Sequence, residues 1–148
     1  MSIRRIAARF VYTLEDKEPL RNAFVEYDDY DGTILRTGLC EGSSDVILPV
    51  ALVPGFVNGH CHVELSHLHR KFRKGTGMAG FIDQINQLRD WAGRDVKVSI
   101  VKQWMDRMWS RGVSAMADIS NDDSSFEVKK SHPMYTRTFL EVFGSEPE

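Results

Sequence analysis

The chain has 148 residues, of which 42% are hydrophobic and 27% charged, a composition typical of soluble globular proteins and not of disordered or fibrous ones. Its 19 basic and 21 acidic residues give a net charge of −2, so no strong field would attract nucleic acid or anionic lipid. The sequence holds no membrane-length apolar run, no secretory signal pattern and only two cysteines. It therefore predicts a cytoplasmic protein that binds neither nucleic acid nor membranes.

The first fifty residues are predicted to form short strands, at 3–14, 22–27, 33–37 and 45–53. Asp31-Gly32 lies between the second and third strands, and this pair is typical of a tight hairpin turn. We therefore expect a small antiparallel sheet in this region.

From residue 54 onward, predicted strands and helices alternate. The expected order is a strand at 56–64, a helix ending near 92, a helix at 95–111, a strand at 113–119, a short helix at 124–130 and a strand at 137–143. Asp95 is the predicted N-cap of the second helix. This alternation indicates parallel strands joined by crossover helices, so we assign the chain to the α/β class with two regions, 1–53 and 54–148.

The tripeptide His60-Cys61-His62 is the sharpest local motif. On a strand, residues two apart point to the same face, so both imidazoles would project together while Cys61 points the opposite way into the core. Two neutral imidazoles side by side can bind Zn²⁺ or a similar divalent ion. A His-x-His spacing also arises by chance, so the spacing alone is weak evidence for a metal site. Its position strengthens the metal interpretation, because active sites of α/β folds lie at the carboxyl ends of strands.

The run 52–62 resembles the first barrel strand of the amidohydrolase superfamily, whose signature is Pro-Gly-Phe-(Val/Ile)-(Asn/Asp)-x-His-x-His. Similar residues continue at Glu64-Leu65-Ser66, Gly75-Thr76-Gly77, Arg111-Gly112-Val113-Ser114, Asp118-Ile119-Ser120-Asn121 and Phe139-Leu140-Glu141-Val142-Phe143-Gly144. The resemblance covers essentially the whole chain. It points to the branch of cytosine, guanine and adenosine-type deaminases and chlorohydrolases, near the aminofutalosine deaminases.

The resemblance implies a fold and an activity. The expected fold is an N-terminal β-sandwich portion followed by the first three strands of a TIM-type (β/α) barrel, incomplete because a whole barrel takes about 250 residues. The expected activity is metal-dependent hydrolysis of a non-peptide C–N bond, as in deamination of a small ring or nucleoside-like substrate. His60 and His62 would bind the divalent metal, with zinc expected ahead of iron or manganese.

Two alternatives remain open at this point. Chloride displacement from a triazine or opening of a cyclic amide would be a different hydrolysis in the same family. The other alternative is a truncated chain without catalysis, because the family's later metal ligands and its acid/base residues would lie beyond Glu148. The open edges of such a cut barrel predict self-association or pairing with a complementary barrel fragment.

Glu64 lies two residues beyond His62 and is the candidate substrate-binding residue. Its carboxylate could hydrogen-bond a substrate or a metal-binding imidazole. The alternative is a solvated carboxylate at the end of the strand.

Four further residues follow strands or lie in loops. His67 and His69 belong to a basic stretch that either recognises an acidic substrate group or is a solvated loop. Asp118 ends the second predicted barrel strand and Asn121 follows in its loop; both would contact substrate or metal ligands, or form a turn. Glu141, inside the last predicted strand, would need a partner or a function if buried.

Overall fold

The structure is a computed structural model that describes residues 2–42 and 45–142. It divides into two compact units, Met1–Pro54 and Gly55–Glu148. Within the described ranges, no helix is long and apolar enough to cross a membrane.

The N-terminal unit contains one four-stranded sheet in the order β3-β2-β1-β4. Its strands are β1 Ile3–Val11, β2 Leu20–Asp28, β3 Ile34–Leu39 and β4 Ile47–Leu52. Strand β2 pairs antiparallel with β1 and β3, but β4 pairs parallel with β1. The prediction of an antiparallel sheet is therefore wrong for the fourth strand, because the chain after β3 crosses to the opposite edge of the sheet and does not turn back beside β3.

The β2–β3 connection is the tight turn that its sequence predicts. Gly32 adopts a positive φ of 77°, which the missing Cβ makes inexpensive, and its N–H donates to the carbonyl oxygen of Asp28 at 2.8 Å. The Asp31 carboxylate accepts a hydrogen bond from the N–H of Thr33 at 2.8 Å. Both bonds lie within the turn and join residues close together in the chain.

The second unit contains three strands in the order β5-β6-β7, and both neighbouring pairs are parallel. Its elements are β5 Phe56–Cys61, a 3₁₀ helix Val63–Leu68, α1 Gly77–Leu88, α2 Arg94–Trp109, β6 Val113–Ser120, α3 Phe126–Ser131 and β7 Tyr135–Leu140. Helices α1 and α2 lie between β5 and β6 in the chain, and α3 lies between β6 and β7. The α/β class is thus confirmed.

Several predicted boundaries differ from those observed; for example, α1 ends at Leu88 and not near residue 92. The N-cap of α2 is Gly93, and Asp95 lies in the first turn, where a carboxylate suits the positive end of the helix dipole. The last strand ends at Leu140, so Glu141 lies just after it and is exposed. Phe143, the predicted end of that strand, lies outside the described residues, as does Gly144 of the resemblance.

The core of the second unit forms between α2, α3 and the sheet. Its buried members are Val63, Val101, Met105, Met116, Val128 and Met134, with Cys61, Val98, Met108 and Val113 packed against them. Because Cys61 and Val63 both pack here, the core anchors the chain on each side of His62. It therefore holds the carboxyl end of β5, where the histidine motif lies.

Candidate functional site

The imidazoles of His60 and His62 are neighbours. Their ring centroids lie 5.4 Å apart, with the ring planes at 65°. Strand β5 ends at Cys61, so His62 lies just past the strand as the residue that precedes the 3₁₀ helix. The Cys61 thiol instead faces the core, 3.7 Å from the Met116 sulfur. The two rings thus lie together and the thiol lies apart from them, as the alternation of side chains along a strand predicts.

A local irregularity of strand β5 spans 58–61 and includes His60. Asn58 pairs with Met116, and Cys61 pairs with Asp118. Strand β5 therefore has one residue more than β6 between these two pairs, which is a β-bulge. Bulges of this kind redirect side chains and are common beside active sites. The Asn58 side-chain oxygen accepts a hydrogen bond from the N–H of His60 at 3.3 Å, which fixes the backbone within the bulge.

The two imidazoles fit a divalent ion in their chemistry. The Nδ1 atom of His62 is buried and has no hydrogen-bond partner among the described residues. Its nearest acidic neighbour is the Glu64 Oε1 atom at 3.8 Å. A catalytic zinc site needs about three protein ligands, and residues 2–42 and 45–142 hold no group of three or more His, Cys, Asp or Glu suited to a metal. The pair thus supplies two ligands of such a set, and metal binding by His60 and His62 stays a prediction.

Glu64 is buried in the first turn of the 3₁₀ helix, with 2% of its surface exposed. Its Oε1 atom accepts a hydrogen bond from the N–H of Asn121 at 3.3 Å, and its Oε2 atom has no partner in the described part of the chain. Burial raises the pKa of the carboxyl group to about 7, and the nearby charge of Asp118 acts in the same direction. The solvated alternative is therefore wrong, because the chain turns into a helix after His62 and carries Glu64 inward.

Polar contacts continue from Glu64 across the carboxyl ends of the other two strands. The Asn121 side-chain amide, after β6, donates to Glu141 Oε2 at 3.0 Å and to the Glu141 carbonyl oxygen at 3.1 Å. The N–H of Glu141 donates to the carbonyl oxygen of Ser120 at 3.0 Å. His62, Glu64, Asn121 and Glu141 thus form one polar edge, and Asn121 bridges two carboxylates instead of merely forming a turn.

Beneath this edge lies a buried ion pair between Asp118 and Lys129. Asp118 Oδ1 accepts a 2.7 Å hydrogen bond from the N–H of Val63, and Asp118 Oδ2 accepts one from the Ser120 hydroxyl at 2.7 Å. The sequence pattern identified Asp118 as a candidate but not Lys129, because a lysine in a short helix is expected to lie on the surface. The available signal was chemical: a carboxylate inside a small apolar strand needs a cation, and Lys129 is the first of two lysines in the next helix.

The Cys61 thiol contacts the same carboxylate. Its sulfur lies 3.6 Å from Asp118 Oδ1. Burial raises the pKa of the thiol to about 12, and the charge of Asp118 adds to the shift. Cys61 therefore stays a neutral core thiol and is a poor metal ligand.

The two histidines of the basic stretch have different environments. His67 is buried, and its ring nitrogens lie 2.9 Å from the carbonyl oxygens of Glu64 and Arg89. The loop interpretation is wrong for this residue, whose ring links the 3₁₀ helix to the residue after α1. His69 is exposed, and its ring centroid lies 4.8 Å from that of Trp104.

An open cavity of 310 Å³ lies beside His62. Its apolar wall includes Leu65, Phe72 and Trp104, and His69 contributes a polar group. The cavity thus places two aromatic side chains beside His62.

Comparison with known proteins shows similarity in structure alone. No family model matches the chain, and no curated protein matches it in sequence. Helicobacter pylori aminofutalosine deaminase in complex with methylthio-coformycin superposes with a TM-score of 0.74 at 21% identity, over 97% of this chain and 36% of that one. Atrazine chlorohydrolase from Arthrobacter aurescens TC1, complexed with zinc, gives a TM-score of 0.68 at 19% identity, over 90% and 35% of the two chains.

The chain thus spans about a third of the length of the solved structures that it matches. These proteins are a deaminase and a chlorohydrolase, the two kinds of enzyme that the His-x-His resemblance named. At these identities the likeness establishes the fold. The expected resemblance is confirmed in fold: the chain has the fold of part of these two enzymes.

Proposed function

We propose that this chain is the metal-binding portion of a cytoplasmic amidohydrolase that deaminates a small ring or nucleoside-like substrate. The observation that carries the proposal is the adjacent pair His60 and His62 at the carboxyl end of a parallel strand, with His62 Nδ1 unpartnered among the described residues. The fold it shares with a zinc complex of a chlorohydrolase supports zinc as the ion.

In this proposal, strands β5, β6 and β7 are the first three strands of a (β/α) barrel, and the N-terminal sheet is part of a β-sandwich. The parallel order β5-β6-β7 supports the first assignment. The coverage of about a third of each matched structure agrees with a partial barrel.

In this proposal the side chains of the polar edge have different roles. A divalent ion held by His60 and His62 would supply Lewis acidity and a water activated near neutral pH. Burial raises the pKa of Glu64 in the metal-free chain, which favours a carboxyl group that can hold or release a proton. Its unpartnered Oε2 atom can thus either donate a hydrogen bond to a substrate or accept one.

Metal binding is tested first, by titrating the purified chain with Zn²⁺ in a calorimeter and with Co²⁺ in a spectrophotometer. We expect His60→Ala and His62→Ala to abolish binding. His132→Ala is the control, because this histidine follows α3 and lies outside both the β5 motif and the cavity beside His62. Equal binding by all three variants would show that the motif holds no metal.

The 148-residue chain is expected to lack appreciable deaminase activity even with added zinc, because two imidazoles leave the ion short of ligands. The measurement is ammonia release from purines, pyrimidines and nucleosides. Robust release that disappears in His60→Ala would overturn this expectation.

A second candidate reaction is chloride displacement from a triazine ring, favoured by the similarity to atrazine chlorohydrolase. Both reactions attack an electrophilic ring carbon and differ in the leaving group. Chloride release from chlorotriazines, measured beside ammonia release on a longer version of the protein, separates them.

We further propose that the isolated chain self-associates or pairs with a complementary barrel fragment. In the described sheet, β5 and β7 are the edge strands, and large apolar side chains on them are exposed: Phe56, Val57, Tyr135, Phe139 and Leu140. Light scattering over a concentration series tests this. A single 16.9 kDa species at roughly 100 μM, with the cooperative unfolding of a small domain, would contradict it.

A further inference from the structure

We infer that the buried pair Asp118 and Lys129 positions His62 for metal binding, acting through the backbone between β5 and the 3₁₀ helix. This inference rests on the proposed role of His60 and His62 as metal ligands. It assigns Asp118 and Lys129 as positioning residues that touch neither metal nor substrate.

The first step is the contact between Asp118 and the peptide that follows His62. Asp118 is fully buried, and its Oδ1 atom accepts the N–H of Val63 at 2.7 Å. A hydrogen bond from an N–H to an ionised carboxylate is short and about twice as strong as one between neutral groups. The same oxygen faces the Cys61 sulfur at 3.6 Å, so Asp118 contacts the residues on both sides of His62.

The second step is that Asp118 is itself held in place. Its Oδ2 atom pairs with the ammonium group of Lys129 and accepts the Ser120 hydroxyl at 2.7 Å. Lys129, from α3, also donates to Ser120 Oγ at 2.8 Å and to Thr138 Oγ1, on β7, at 3.3 Å. The pair thus ties α3 and two strands to the start of the 3₁₀ helix.

The third step is the way in which the His62 ring is oriented. In most metal sites, the ring nitrogen that does not bind the metal donates to a carboxylate or carbonyl, and this bond fixes the ring. Among the described residues, neither nitrogen of the His62 ring has a hydrogen bond that would fix the ring in this way, and Glu64 Oε1, 3.8 Å from Nδ1, lies beyond hydrogen-bond distance. The orientation of the ring therefore depends on the backbone at 61–63, which Asp118 holds.

The test compares Lys129→Met with Lys130→Met. Both replace a lysine of α3, but Lys129 is buried against Asp118 and Lys130 is exposed. We expect Lys129→Met to weaken Co²⁺ binding about ten- to hundredfold and to change the visible absorption of the bound cobalt. Lys130→Met should match the wild-type chain in both measurements.

A milder variant decides the matter if Lys129→Met does not fold. Ser120→Ala removes one hydrogen bond from each member of the pair and keeps the charges. We expect a smaller loss of cobalt affinity in the same direction, with an altered cobalt spectrum. A purely structural role would lower the unfolding free energy while leaving the affinity and spectrum of the folded protein unchanged, and that result would overturn the inference.

A metal-free measurement separates this inference from the proposed function. Amide hydrogen exchange at Val63 should be faster in Ser120→Ala than in the wild-type chain, because the Asp118 carboxylate then holds this N–H less firmly. If the wild-type chain binds no cobalt, the metal proposal fails. Unchanged exchange at Val63 would contradict the positioning inference by itself.

Discussion

The described ion pairs of the N-terminal sheet are all partly exposed, whereas the second unit also contains one that is buried. In the N-terminal sheet, Glu26 pairs with Arg36 at 3.0 Å and with Arg5 at 3.4 Å on the outer face of β1, β2 and β3. The two guanidinium groups also lie over the Phe24 ring, with the Arg5 carbon 3.5 Å from its centroid. In the second unit, Asp118 and Lys129 are buried.

This difference shows where the fold tolerates an energetic cost. Exposed ion pairs change stability little, whereas buried charges must recover a large desolvation penalty from well-placed partners. The second unit carries that cost at Glu64, Asp118 and Lys129, all close to the end of β5. These buried charges of the second unit thus lie beside the candidate site.

The largest effect is expected in the core of the second unit. Met105→Ala removes a fully buried side chain between α2 and the sheet, and should lower the unfolding free energy by about 2–5 kcal/mol. Urea denaturation followed by circular dichroism measures this loss. Met78→Ala, at an exposed position of α1, is the control and should cost less than about 0.5 kcal/mol. Equal losses would mean that this core is not the stabilising one.

The next effect concerns pH and Glu64, measured on metal-free protein in the presence of a chelator. Its folded-state pKa of about 7 lies above the ordinary 4.5, so the folded chain binds this proton more tightly than the unfolded chain. The stabilisation is complete below pH 4.5 and is lost as the pH rises through 7, a change of up to about 3 kcal/mol.

Glu64→Gln cannot ionise and should therefore gain stability relative to the wild-type chain between pH 5 and pH 8. Denaturant midpoints at the two values give this difference. Glu127→Gln, at an exposed position of α3, should show no such gain. A Glu64→Gln difference that is independent of pH would mean that the folded chain does not raise the pKa of Glu64.

The sequence predicted the parts of this molecule that depend on local pattern. The Asp31-Gly32 turn follows from backbone preferences, and the parallel order of β5, β6 and β7 follows from the helices between them. The neighbouring rings of His60 and His62 follow from strand alternation. The turn and the two rings involve residues close together in the chain, and the strand order follows from the elements that the chain forms in succession.

The parts that were missed depend on contacts between distant residues. Strand β4 is parallel to β1 because of sheet order, which no turn motif reveals. Glu64 is buried because a 3₁₀ helix replaces the predicted end of the strand. Its carboxylate then accepts a hydrogen bond from the N–H of Asn121, 57 residues later in the chain. From the sequence, Lys129 is expected on the surface beside Lys130, but in the fold it forms an ion pair with Asp118.

A smaller effect is expected in the N-terminal core, where Ala8 and Ala23 pair across β1 and β2 and are both fully buried. Ala23→Val adds two methyl groups where two strands meet without free space. It should cost about 1–3 kcal/mol by overpacking, measured by urea denaturation. Ala51→Val, at an exposed position of β4, should be neutral or slightly stabilising, since valine favours strands. An unchanged unfolding free energy in Ala23→Val would show that this core can accommodate two more methyl groups.

The smallest effect is expected at Glu26, and its salt dependence separates the two units most directly. The hydrogen bond from Arg36 lowers the pKa of Glu26, so its contribution is present above the ordinary 4.5 and is lost as the pH falls through the lowered value. Glu26→Gln should lower the denaturation midpoint less than Ala23→Val does, with Glu18→Gln in an exposed loop as control. In 1 M salt the Debye length shrinks to about 3 Å, so the Glu26 loss should disappear. The loss caused by Lys129→Met should persist, because solvent ions do not reach a buried pair. If salt removed both losses, the charges of the second unit would be as accessible as those of the first, and the contrast between the units would fail.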